Sequence, residues 1–371
     1  MAVNELGPAA DAQMGAISSV CGSPPELLCI GNALVDVFAR GERHLCERCG
    51  IIQPVQHLEI EKIKEILSET PEYTAVSGGG AANVAKIAAL LGAKVSFTGA
   101  LGKERNESAK GQARAQAEVQ IDHFGRLFEK DLNAAGVTLH LPLKSSPTGI
   151  CLFFKTDDET RIAASPSAAL EFSENDIPEE DFKKAKVVVI DGFMLNRPGL
   201  VRRILRLADQ YGTVAAIDLG SAAIARDRAA EIADYARQKA ILFMNEAEAE
   251  AFYKGIGNEV SGIVNEESLL LSACAYFKSI TEGKPFPIIV VKLGKRGAMV
   301  FAGGTLYRAE TTGAGDAFSA AFLTAWVRNR PLSECASLGN STARVVLDVA
   351  GTQVEREQLK DIAALLRRDL S

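Results

Sequence analysis

From Leu27 onward, short apolar, β-branched runs alternate with amphipathic segments, and this alternation confines the chain to βαβ units around a mostly parallel sheet. Residues 28–30, 95–98, 187–191, 214–218, 241–244 and 288–292 read as strands, each bounded by charge or glycine. Between them, Phe124, Leu127, Phe128, Leu132 and Ala135 recur at helical spacing, which predicts one stripe facing a sheet while Arg126, Glu129 and Lys130 face water. A second stripe is clearer. Ala314, Ala317, Phe318, Ala321, Phe322, Ala325 and Trp326 hold one phase over three turns, and Pro331 stops it.

Two regions break this rhythm, residues 33–56 and 138–166, where alternation such as Thr148, Ile150, Leu152 and Phe154 predicts strands with one exposed face. Together they form a small β-sheet projecting from the main body. Residues 103–121 are polar, rich in Ala, Gln, Glu and Arg with little apolar face, and read as a surface insertion of helical composition. Residues 1–26 carry no Lys or Arg and no compact apolar block, so they lack the features of a secretory signal and read as a disordered tail. A length of 371 residues would accommodate two or three modules. No internal repeat or low-complexity linker divides it, which predicts a single domain over 27–371.

Composition removes several classes of function. With 47% hydrophobic and 24% charged residues the chain has the makings of a large core, which excludes a disordered or fibrous protein. A net charge of −6 supplies no basic field for a phosphate backbone, so nucleic acid is not the expected partner. No run of about 18 apolar residues is present, so no membrane span is expected. The seven cysteines, at 21, 29, 46, 49, 151, 274 and 335, are odd in number and scattered, which suits a reducing compartment and predicts a cytoplasmic protein. Cys46-Glu-Arg-Cys49 is a lone CxxC without a second ligand pair or regularly spaced histidines, so it predicts neither a zinc site nor a redox centre.

Four motifs carry chemistry. Glu310-Thr311-Thr312-Gly313-Ala314-Gly315-Asp316 is a small-residue turn opening the clearest helix, where outward N–H groups and the positive dipole end make an anion hole. Asp316 has two readings, a helix cap or the base that accepts the proton of a hydroxyl attacking a phosphate. Ser77-Gly78-Gly79-Gly80-Ala81-Ala82-Asn83 follows a strand-like run. Asn83 stands where a dinucleotide fingerprint has its last glycine and no acidic ribose partner follows, so a dehydrogenase is disfavoured. Gly79 and Gly80 would let a polyhydroxylated ligand approach the backbone and Asn83 would bond its hydroxyls, or the small residues serve helix packing. Gly31-Asn32-Ala33-Leu34-Val35-Asp36 comes directly after the first strand, where open α/β sheets bind ligands. Asn245-Glu246-Ala247-Glu248 reads either as a capping box or as oxygens that hold hydrated magnesium near a triphosphate. No G-x-x-x-x-G-K-[ST] occurs, which excludes a P-loop enzyme.

In this order, from about Leu27 to about Arg367, the four motifs resemble the ribokinase-like, PfkB-type family of carbohydrate and nucleoside kinases. The resemblance implies a three-layer α/β/α sandwich with a projecting β-lid, and transfer of the γ-phosphate of ATP to a hydroxyl. It implies Asp316 as catalytic base, Gly313, Ala314 and Gly315 as the anion hole, and Asp36, Asn32, Gly79, Gly80 and Asn83 as substrate-binding positions. Asn245 and Glu248 match the motif linked to Mg²⁺ and phosphate, with Glu248 acting on the metal through water. Lys292, Gly294 and Gly297 resemble the turn that runs under the nucleotide, Thr312 belongs to the phosphate loop, and Asn340 is similar to an asparagine near adenine. Three departures stand out: Glu310 where the family has Asp, the insertion 103–121, and Ser167-Ala168 in place of Gly-Ala after the lid. The gap from Gly31 to Gly78 is more similar to adenosine kinases and their bacterial sugar-kinase relatives than to ribokinases. A ribose, fructose or ketodeoxy-sugar kinase remains an alternative, as does a catalytically silent sugar- or nucleotide-binding regulator of the same fold. The expected partner is a small sugar or nucleoside, the chain being a monomer or homodimer.

Overall fold

The computed structural model describes residues 25–70, 72–105, 119–238, 240–257, 272–273, 275–277, 279–280, 287–303, 305–309, 315–347 and 354–367. Thr312, Gly313 and Ala314, residues 1–24 of the tail and 106–118 of the insertion lie outside the described residues.

The main sheet runs in the order Thr305–Ala309, Ala298–Ala302, Ile288–Lys292, Ala240–Asn245, Val214–Asp218, Val187–Asp191, Leu27–Ile30, Val95–Thr98 and Thr138–His140. Neighbours from Ile288–Lys292 onward are parallel, and the two strands at the other edge are antiparallel. Successive strand residues enter opposite layers, which is why these runs are apolar throughout. Leu27, Cys29, Val187 and Val189 join one core with helices Gly80–Leu90, Gly315–Trp326 and Leu332–Leu347. Leu28, Ile30, Val188 and Ile190 join the other with helices Pro198–Tyr211, Ala229–Ala236 and Glu246–Gly255. The result is the expected α/β/α layering.

The predicted amphipathic helix is His123–Ala135, with Phe128, Leu132 and Ala135 buried. The Asp122 carboxylate caps it by accepting from the Gly125 N–H at 2.8 Å, and Gly136 at φ 94° ends it in the left-handed region.

The lid is a five-stranded sheet ordered Val55–His57, Thr160–Ser165, Gly149–Lys155, Leu34–Arg40 and Tyr73–Gly78. Val35, Val37, Ile150, Leu152, Phe154 and Ala163 on one face join the core containing Ile60, Ile63 and Ile66 of helix Ile60–Glu69. Asp36, Phe38, Cys151 and Phe153, partly exposed, share the other face. Its extent differs from the expected 33–56 and 138–166. Thr138–His140 follows a crossover helix and so pairs in parallel with Val95–Thr98 in the main sheet, leaving the second lid segment to begin at Gly149. Tyr73–Gly78, which lies beyond the expected first segment, closes the lid on Leu34–Arg40.

The ends of the insertion are also strands, where composition predicted helix. Lys103 pairs antiparallel with Ile121 and Arg105 with Val119. The hairpin is anchored because Asp122, at its return, accepts from the Thr148 hydroxyl at 2.6 Å and the Thr148 N–H at 2.7 Å. Cys46 and Cys49 are buried free thiols in the lid core. Among the described residues no helix is long and apolar enough to cross a membrane.

Candidate active site

The first strand lies between Val187–Asp191 and Val95–Thr98, and the connections to its two neighbours run in opposite directions along the sheet. A topological switch point of this kind opens a crevice at the strand carboxyl ends. There the sheet presents the Gly31–Asn32 loop, Asp191, Asp218, Asn245 and Lys292 side by side, with Asp191 in register with Asp218 and Asn245 with Lys292. Gly31 is needed for closure, since a Cβ on it would stand 2.7 Å from that of Ala81 and 2.9 Å from that of Asp191.

Helix Gly315–Trp326 delivers Asp316 to this crevice in its first turn, and helix Gly80–Leu90 delivers Asn83. The Asn83 amide donates to Oδ2 of Asp316 at 2.9 Å. Burial pushes the Asp316 carboxyl up to about 6 and the charge of Asp218 adds to this, while the Asn83 hydrogen bond and Lys292 pull it back. Asp36 overlooks the crevice from the lid. Burial raises it to about 7, helped by the charge of Asp316. Gly78 leaves room for this carboxyl, as a Cβ there would fall 2.3 Å from it. Gly80 lies open toward Asp316, its would-be Cβ 3.8 Å from Oδ1. Gly79 has φ 96° and would drive a Cβ to 2.2 Å from the Asn32 carbonyl, so its glycine is demanded by backbone geometry.

Lys292 donates to Asp218 at 2.9 Å (Oδ1) and 2.7 Å (Oδ2), and the Ser319 hydroxyl donates to the same carboxylate at 2.9 Å. Burial alone would lower the Lys292 ammonium, but the neighbouring Asp218 carboxylate holds it above its ordinary range. Its Nζ lies 3.3 Å from where a Gly315 Cβ would be, against the start of helix Gly315–Trp326. Asn245 and Glu248 form a reciprocal capping box. The Glu248 N–H donates to Asn245 Oδ1, the Asn245 N–H to Glu248 Oε2 and the Asn245 amide to Glu248 Oε1, all at 2.9 Å. Glu248 is buried and raised by that burial, with Asp218 and Lys292 close enough to act on it. Gly294 and Gly297, at φ 54° and 88°, shape the turn that returns Leu293 to pair with the Gly297 carbonyl at 2.8 Å. Asn340 sits on helix Leu332–Leu347 against the edge strand. It is 1% exposed and its amide donates to the Ala309 carbonyl at 3.1 Å, tying its helix to the edge strand.

Asp191, Asp218, Ser319 and Arg197 were not singled out from the sequence. Asp191 and Asp218 each end an apolar parallel strand, a position that itself signals a ligand-facing group. Asp191 is raised to about 6 by burial, against which the Phe193 and Asn32 N–H groups work.

The sequence profile described as "pfkB family carbohydrate kinase" matches residues 27–116 and 107–359. The chain belongs to the pfkB carbohydrate kinase family. This kinase is 26% identical over 354 residues to adenosine kinase 1 of Arabidopsis thaliana, spanning 88% of the chain and 94% of the relative. It is 24% identical over 289 residues to the ribokinase of Haemophilus influenzae, spanning 76% and 84%. Among solved structures, the adenosine kinase from Sinorhizobium meliloti superposes with a TM-score of 0.72 at 24% identity, over 92% of this chain and all of that one. A probable sugar kinase from Rhizobium etli CFN 42 gives 0.73 at 24% identity, over 93% and 100%. The enzyme is therefore a phosphotransferase acting on a hydroxyl of a small sugar or nucleoside, and its family implies ATP as the donor.

Proposed function

We propose that this kinase phosphorylates a hydroxyl of a nucleoside of the adenosine type, with Asp316 as general base. The observation that carries a base-bearing acceptor is a pair of exposed apolar side chains, Phe193 (43%) and Leu170 (60%), on the segments that follow Asp191 and the lid. The lid face that bears Asp36 also carries the stacked rings of Phe38 and Phe153, 4.9 Å apart. A free sugar sets only small C–H faces among its hydroxyls against such surfaces, whereas a nucleoside pairs hydroxyls with Asp36 and Asn83 and leaves its larger planar base for the apolar side. The likeness to an adenosine kinase over most of the chain supports the same choice.

Among the described residues no three carboxylate, histidine or cysteine side chains converge on a bare ion, so Asp218, Asn245 and Glu248 suit a Mg²⁺ carried by ATP and water, and Lys292 beside Gly315 suits an anionic phosphate. Bound there, ATP supplies the phosphoryl group and Mg²⁺ neutralises charge on its oxygens. Asp36 and Asn83 orient the acceptor hydroxyl. Asp316 takes its proton, held in place by the Asn83 amide. Gly313 and Gly315 backbone N–H groups, with Lys292, stabilise charge on the transferring group. Lid closure excludes water, the competing acceptor. Asp36 to the acceptor, Asn245 and Glu248 to the metal, and one continuous kinase domain over 27–371 are parts of the same reading.

ADP release against adenosine, other nucleosides, ribose, fructose and ketodeoxy sugars tests it. Adenosine is expected to give the highest kcat/KM, and a free sugar exceeding it would overturn the acceptor assignment.

A further inference from the structure

We propose that Arg197 is a positioning residue that fixes the lid to the body at its hinge and so sets where Asp36 meets the acceptor, an inference that rests on the kinase reading above. The chain first enters the lid through Asn32–Leu34 and last leaves it through Ser165–Ser167, and these two of its four crossings are brought together by one guanidinium. Arg197 Nη2 donates to Asn32 Oδ1 at 3.0 Å, where the chain goes in. Nη1 donates to the Ala169 carbonyl at 2.9 Å and the Phe172 carbonyl at 3.2 Å, just beyond where it comes out. A contact of Nη2 with Met194 Sδ at 2.8 Å ties the same group to the loop that follows Asp191.

Three properties separate this from ordinary surface pairing. Arg197 is half-buried, and its hydrogen bonds to Ala169, Phe172 and Asn32 go to neutral acceptors on separate segments, with the Asp191 charge acting from further away. A planar fork is the one side chain that can bond three segments in fixed directions, which a flexible ammonium cannot reproduce. Asn32 passes the constraint on: its carbonyl packs against Gly79 at a third crossing, where Tyr73–Gly78 returns to the body. At the exit the chain is also held in an unusual backbone, Ser167 at φ 46°, a conformation that persists only where its surroundings over-determine it. Asp36 is four residues along the strand from Asn32, so its height above Asp316 follows from where that strand is pinned.

The test combines kinetics with amide hydrogen exchange on the full chain. Arg197→Gln and Arg197→Lys should raise KM for the acceptor by about tenfold or more, as expected for loss of hydrogen bonds to a charged donor, while KM for ATP stays within about twofold. Exchange should quicken in peptides covering 31–36 and 166–173 and stay unchanged in the strand Val187–Asp191. Asn32→Ala, which removes one contact only, should give part of the effect, and adding it to Arg197→Gln should give less than the sum. A uniform fall in kcat with both KM values unchanged, or unaltered exchange at the two crossings, would overturn the inference and leave Arg197 as packing. If the wild-type enzyme turns over no acceptor at all, the kinase reading fails, and the exchange measurement alone decides whether Arg197 pins the crossings.

Discussion

The amide of Asn83 reaches across 233 positions of sequence to donate a 2.9 Å hydrogen bond to Oδ2 of Asp316, joining the two glycine-rich motifs at one carboxylate. In the proposed mechanism that bond orients Asp316 as the base. Asp316→Asn keeps the shape and an acceptor for Asn83 but cannot take a proton, so turnover should fall by about 10²–10⁴-fold. Acceptor binding, read by calorimetry, should persist. Full turnover in Asp316→Asn would remove it from the chemistry.

The same pair predicts a pH dependence. Asp316 must be ionised to act, and its carboxyl is raised to about 6, so kcat/KM should climb as pH passes through about 6. The Asn83 hydrogen bond favours the ionised form, and its removal in Asn83→Ala should move the acid limb to higher pH. A limb that stays in place would mean that another group governs it.

Stability should run the opposite way with pH. Asp36, Asp191 and Asp316 all bind their protons more tightly folded than unfolded, at about 7, 6 and 6 against an ordinary 3.8. The folded state therefore holds more protons between those limits, and stability present below about pH 4 is lost as pH rises toward 7. Asp36→Asn removes the largest shift without changing volume. Thermal melts of the ligand-free protein should show it more stable than wild type at pH 8 and indistinguishable at pH 4.

Much of this site was legible because glycine and asparagine mark backbone that must turn or bond. The apolar runs end at Asp191 and Asp218 in sequence and structure alike, yet in the sequence each carboxylate reads only as a strand boundary. That the two stand in register with each other is revealed only by the sheet. Lys292 was visible as part of a turn, but its bond to Asp218 joins positions 74 apart and leaves no local pattern. Asn340, which the resemblance sets near adenine, also bonds an edge-strand carbonyl 31 positions away, a contact that leaves no local pattern either. At the described ends of the insertion, composition points the wrong way. Ala and Glu favour helix, but pairing at Lys103–Ile121 is set by the return of the chain to Asp122.

Lys292 offers a test of whether its charge serves the phosphate or only Asp218. Removing a preorganised donor to a transferring group costs about 10²–10³-fold in kcat. Lys292→Met should show such a loss at saturating ATP, together with a lower melting temperature from leaving Asp218 without its ion pair. Adding Asp218→Asn should restore the melting temperature but not kcat. Restoration of both would confine Lys292 to pairing.

Ser167 stands in the left-handed region at φ 46°, where the resembling kinases have glycine, and it lies two residues before the Ala169 carbonyl gripped by Arg197. A side chain in that region costs roughly 1–2 kcal/mol, from which the greater unfolded-state freedom of glycine takes part back. Ser167→Gly should therefore stabilise the protein by about 1 kcal/mol, a rise of about 1–2 °C in Tm for a chain of this size. Ser167→Ala keeps the Cβ and should not gain. If the alanine variant is stabilised as much as the glycine one, the hydroxyl and not the backbone was the source of strain.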